Sequence, residues 1–182
     1  MLPPRSAALV DLTTGSGDIA VEDVTGTAKL KTGSGSVATG RVDGAMTISS
    51  GSGDISVDHS GTSATLSVGS GDISIGQLVG EVVSKTGSGD VEVGVLDGSL
   101  MTRTGSGDLT VRRAAAGVVR ATGASGAISI GIQEGTAAWL DLSTVNGRVS
   151  QELGETSAPR EDQRRVEITA HTVSGDLRVH RS

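Results

Sequence analysis

The stretch Thr14-Gly15-Ser16-Gly17-Asp18-Ile19-Ala20-Val21 limits this chain more than anything else in it, because it is written again at a fixed interval. Its first glycine recurs at Gly33, Gly51, Gly69, Gly87 and Gly105, and a looser box, Thr122-Gly123-Ala124-Ser125-Gly126, follows at the same step of 18 residues. Degenerate boxes stand at Val145-Asn146-Gly147 and Val173-Ser174-Gly175-Asp176, giving about nine units on one plan. A unit this short cannot bury a face alone, so each must be one coil of a stack. The period is too short for most helical repeats, and the Val, Ile, Thr and Ser content favours strand.

The columns of the repeat show which side chains face inward. Four residues after the first box glycine stand Ile19, Val37, Ile55, Ile73, Val91 and Leu109; two further on stand Val21, Thr39, Val57, Ile75, Val93 and Val111. Between them lie Ala20, Ala38, Ser56, Ser74, Glu92 and Thr110, so one face of a short strand is buried and the other solvated. A second strand precedes each box, with Ala28, Leu30 and Thr32 inward, then Met46, Ile48 and Ser50, then Ala64, Leu66 and Val68. A third inward column is Val24, Val42, Leu78, Leu96 and Ala114, and Gly26, Gly44, Gly80 and Gly98 mark the next corner. The 28 glycines keep register with these columns, which a flexible Gly-rich linker does not do.

The expected fold is all-β: a single-domain β-solenoid, or parallel β-helix, of about nine coils over residues 1–182, right-handed by the usual crossover rule. Regular coils run over 8–122 and irregular ones over 123–182, with a polar surface loop at 151–164. Coils stack about 4.8 Å apart, leaving a core too thin for large rings. The composition agrees, with no Phe, no Tyr and one Trp. The inward Thr14, Thr32, Thr86, Thr104 and Thr122 need hydroxyl partners, either as a ladder between coils or on the adjacent turn.

Charge and composition remove several function classes. Residues 1–111 carry 13 acidic and 6 basic side chains, and the whole chain has a formal charge of −6. An acidic body without Phe or Tyr lacks both the basic stripe and the stacking platform that nucleic acid requires. The absence of Cys excludes disulfides, thiolate metal sites and cysteine nucleophiles. No apolar run reaches membrane-spanning length and no export signal is visible, so the expectation is a cytoplasmic protein without membrane insertion.

The box Thr-x-Ser-Gly-Asp-Ile-x-Val, the stretch Trp139-Leu-Asp-Leu-Ser-Thr-Val-Asn-Gly-Arg-Val149 and the closing His171-Thr-Val-Ser-Gly-Asp-Leu-Arg-Val179 resemble the DUF4097 family, a bacterial group of β-strand repeat proteins often labelled adhesins. The resemblance spans nearly the whole chain. It implies a β-solenoid with no catalytic residues.

Three features are candidate sites. Asp18, Asp54, Asp72, Asp90 and Asp108 form a stacked ladder broken by Ser36, and calcium between turns is one way to answer its charge. Hydrogen bonds from the Ser hydroxyl and backbone N–H groups of each Asp's own turn are the other. The outward column Lys29, Thr47, Thr65, Val83, Met101 and Val119 turns apolar toward the later coils and forms a candidate interaction strip, with Trp139 as a further outward anchor. The two edge coils are the third, with Arg178, His180 and Arg181 charging the carboxyl-terminal one, and only Pro3 and Pro4 guarding the other. Asp58-His59-Ser60 contains triad residue types, but strand neighbours point to opposite faces and cannot converge. The sequence therefore reads as a non-catalytic scaffold that binds itself or another protein. A calcium-dependent binding module is the alternative, and a carbohydrate-binding or carbohydrate-active solenoid the third reading.

Overall fold

The structure, a computed structural model, describes residues 9–153 and 164–182. Pro3, Pro4 and most of the 151–164 insertion lie outside the described residues. Every described element is a strand, and every pairing is parallel. Period-two alternation of small β-branched residues gives each coil two strands, with glycine-rich corners between them.

One wall begins with β1 (Val10–Thr14), β3 (Ala28–Thr32), β5 (Met46–Ser50), β7 (Ala64–Ser70) and β9 (Glu81–Ser88). The facing wall begins with β2 (Ile19–Val21), β4 (Val37–Val42), β6 (Ile55–Ser60) and β8 (Ile73–Leu78). The strands β10 (Val91–Ser106) and β11 (Leu109–Ser125) are long enough to bend through the corner and serve both walls, and β12 (Ile128–Ile132) follows on the second wall. Seven coils thus stack in chain order. The inward columns read from the sequence are the core: Ile55, Ile73, Leu66, Leu78, Leu96 and Leu109 are all at most 1% exposed, each contributing roughly 2 kcal/mol of apolar burial.

The last two coils exchange places. The strands β13 (Ala137–Asn146) and β14 (Val149–Glu152) come next in the chain, but β15 (Arg165–Ser174) pairs with both β11 and β13, and β16 (Leu177–Arg181) pairs with both β12 and β14. The final coil of the sequence is therefore interior, and 137–152 forms the carboxyl-terminal edge. Composition accounts for the exchange. The interior coil points Val166, Ile168, Ala170, Leu177 and Val179 inward, all buried, whereas the outer coil places Gln151 in the column of Val179. Burying the more apolar coil is the better use of the interior.

This corrects the expectation that Arg178, His180 and Arg181 charge the final edge. They sit on β16, flanked on both sides. The Arg181 guanidinium donates to the carbonyls of Gln133 (3.2 Å), Thr136 (2.8 Å) and Leu153 (3.3 Å), so it pins both the segment that leads out to the edge coil and the one that leads back.

A second correction concerns register. Leu96 faces Ala114 but Asp97 faces Ala116, so Ala115 is an extra residue and that coil is longer by one. The carbonyl of Ala115 accepts the Thr136 hydroxyl at 3.2 Å. Beyond the bulge every side chain changes face relative to an uninterrupted step of 18: Thr122, expected inward, is exposed, and Gly123 takes its place.

In the first coils the inward hydroxyls bond to the adjacent turn, whereas the buried Thr104 hydroxyl has no partner among the described residues. Gly17 N–H donates to Thr14 Oγ1 (3.1 Å), Gly35 N–H to Thr32 Oγ1 (3.0 Å) and Gly53 N–H to Ser50 Oγ (2.9 Å). Thr32 and Ser50 donate in turn to the carbonyls of Gly17 and Gly35 one coil back, at 3.1 and 3.2 Å. Val68 has no hydroxyl to close the fourth corner, and from the fifth coil onward the box glycine reaches the next coil instead. Gly89, at φ +155°, donates to Ser106 O (3.0 Å), and Gly107, at φ +152°, to Ser125 O (3.1 Å). In mid-core Ser84 donates to Thr102 across coils at 2.8 Å, a fully buried pair that satisfies two hydroxyls among aliphatic neighbours.

Candidate functional site

The acidic ladder staples coil to coil. A parallel strand ends at each corner and leaves the N–H of the following coil's ladder residue without a ladder partner, and the Asp one coil back supplies the acceptor. Asp18 Oδ1 accepts Ser36 N–H (2.8 Å), Asp54 accepts Asp72 (3.0 Å), Asp72 accepts Asp90 (2.8 Å), Asp90 accepts Asp108 (2.8 Å) and Asp108 accepts Ala127 (2.8 Å). The donor thus comes from the neighbouring coil, not from the residue's own turn. A missed member continues the series: Asp176 Oδ1 accepts Arg148 N–H at 2.8 Å. Its position in the closing Ser174-Gly175-Asp176 box was the available signal. No group of three or more His, Asp or Glu that could hold a metal ion stands among the described residues.

Asp58, His59 and Ser60 diverge. Asp58 is exposed, Ser60 is buried, and His59 Nδ1 stands 3.3 Å from Gln77 Oε1 of the next coil.

The candidate strip is only partly on the surface. Val83 and Met101 are adjacent, outward and half-buried. Val119 is in the core at 0% exposure, because the Ala115 bulge places Arg120 beside Met101 and Val119 beside Leu100. The outward apolar residue in that region is Val118, missed because the bulge carries no marker in the box spacing.

Exposed apolar side chains gather instead on the edge coil. Trp139 is 76% exposed and Val145 75%, and the inward Leu140 and Leu142 are half-exposed where an interior coil would bury them. Trp139 stands over a groove of about 490 Å³ lined by Val118, Ala137, Ala138, Arg165, Val166 and Glu167. Register places Val145 beside Val173, itself exposed, and Val173 beside Ala124, in the column that is glycine from Gly33 to Gly105. At the opposite edge Leu12 is the exposed inward residue, and Asp11 and Lys29 pair at 4.0 Å beside it.

No helix among the described residues is long and apolar enough to cross a membrane. Comparison with curated proteins and with solved structures finds no match. The model of one family, described as Toastrack DUF4097, matches residues 10–181, the entire run of coils from β1 to β16, and the chain belongs to that family.

Proposed function

We propose that the protein is a non-catalytic solenoid scaffold that self-associates. The observation that supports this reading is the carboxyl-terminal edge coil, which exposes Trp139, Val145 and Val149 and leaves its inward Leu140 and Leu142 only partly buried. An edge strand carrying such side chains is a template for pairing with another chain. The constant 18-residue coils up to Val111 support the non-catalytic part, since coils of one size leave no long loops there to wall a substrate cleft. A carbohydrate site would want an aromatic-lined groove, and the chain has a single aromatic residue.

Sedimentation velocity over a protein concentration series, with calcium and with chelator, tests the proposal. The expected result is a sedimentation coefficient that rises with concentration equally in both. A monomer at every concentration would overturn it, and association only with calcium would transfer the role to the Asp ladder.

A further inference from the structure

We infer that two copies of this chain join tail to tail, β13 against the partner copy's β13, as an antiparallel pair centred on Leu142. This rests on the self-association proposed above and identifies its surface. Ala137 N–H donates to Arg164 O at 2.9 Å, so the odd-numbered residues of β13 turn their backbone groups toward β15. Along a strand these directions alternate, so Ala138, Leu140, Leu142 and Thr144 present N–H and C=O to the side on which no other described strand pairs with β13.

Antiparallel pairing centred on Leu142 sets Leu140 opposite Thr144 of the second copy and Leu142 opposite itself, each pair hydrogen-bonded. The odd residues then meet in the closer, non-hydrogen-bonded pairs. Trp139 falls opposite Val145, the two most exposed side chains of the coil, and Asp141 falls opposite Ser143. Shifting the centre to Asp141 would set that carboxylate against its own copy, and shifting it to Leu140 would set Asp141 against Trp139; both registers lose the aromatic-aliphatic pair. The half-exposed Leu140 and Leu142 become interior, as their equivalents are in every coil between the two edges.

The same edge disfavours a head-to-tail filament. Asp141 and Asp11 occupy one column of the wall, so stacking the carboxyl-terminal edge on the amino-terminal one opposes two carboxylates. Arg148 stands where the ladder would need an Asp to accept Asp18 N–H of the next copy. A two-fold pair closes on itself and leaves neither problem.

The chain has no cysteine, so introduced thiols report without interference. Asp141→Cys and Ser143→Cys are exposed, outward substitutions, and in this register the two positions approach to about 4.5 Å between Cα atoms, within disulfide reach. Mixing the two variants under mild oxidation should give a cross-linked heterodimer at least ten times more abundant than either variant gives alone. Val145→Lys should weaken association at least tenfold, while Met101→Lys on the side wall leaves it unchanged. A protein that still dimerises by sedimentation without cross-linking, or with undiminished affinity in Val145→Lys, overturns this interface and leaves self-association standing. A protein that never dimerises overturns both.

Discussion

At the scale of the residue, the corners are decided by single atoms. Asp72 both accepts from Asp90 and donates its own N–H to Asp54, so its carboxylate acts through one oxygen. Asp72→Asn keeps an Oδ1 acceptor and removes one of the stacked charges; the expected change in unfolding free energy is under about 0.5 kcal/mol. Asp72→Ala leaves the Asp90 N–H unpaired and should cost about 1 kcal/mol, read from urea denaturation. A calcium-held ladder predicts the contrary, a loss in Asp72→Asn that appears only with calcium present. Glycine at the box is equally specific. A Cβ on Gly53 would overlap the carbonyl of Gly35 one coil back, whereas on Gly61 the nearest atoms are 3.6 Å away. Gly53→Ala should therefore destabilise by about 3 kcal/mol and Gly61→Ala by under about 1 kcal/mol, measured by the same denaturation curves.

At the scale of the element, one inserted residue reassigns a whole strand. Ala115 shifts the later half of β11 so that Val119 lies in the core while Met101, paired with Val83 of β9, stays on the wall. Val119→Lys should then unfold the protein or lower its stability by more than about 4 kcal/mol, and Met101→Lys should change it by under about 0.5 kcal/mol, as thermal unfolding will show. The sequence made the coils legible because inward aliphatics recur at one interval through Val111, and every such column is buried from the second coil onward. It did not show the bulge, since Thr122-Gly123 imitates the box at the old spacing while the backbone aligns Ser125 with Ser106. Nor could it show the exchange of the last two coils, because both have the same inward pattern and only their relative apolarity, Gln151 against Val179, ranks them for the interior. The Asp ladder was visible residue by residue, but its donors were not: an N–H one coil away is distant in sequence and adjacent only in the stack. Arg181 is the tie that the exchange requires. Arg181→Ala should speed amide exchange in β13 and β14 at least tenfold relative to β5 and β6, followed by hydrogen-exchange mass spectrometry.

At the scale of the whole molecule, a stack of near-identical coils is a rod whose ends differ. Its sides carry mostly small and charged residues with the exposed Val79 and Val173 among them, its amino-terminal edge carries the Asp11 and Lys29 pair beside the exposed Leu9 and Leu12, and its carboxyl-terminal edge carries the exposed Trp139 and Val145. The tail-to-tail pairing proposed above doubles the length of the rod and leaves its thickness alone. Small-angle X-ray scattering of the dimer tests this most directly, because a stack of roughly 40 Å at about 4.8 Å per coil should give a particle of roughly 80 Å with the monomer's cross-section. A dimer that keeps the monomer's length and thickens instead would contradict joining at the ends and place the contact on the walls.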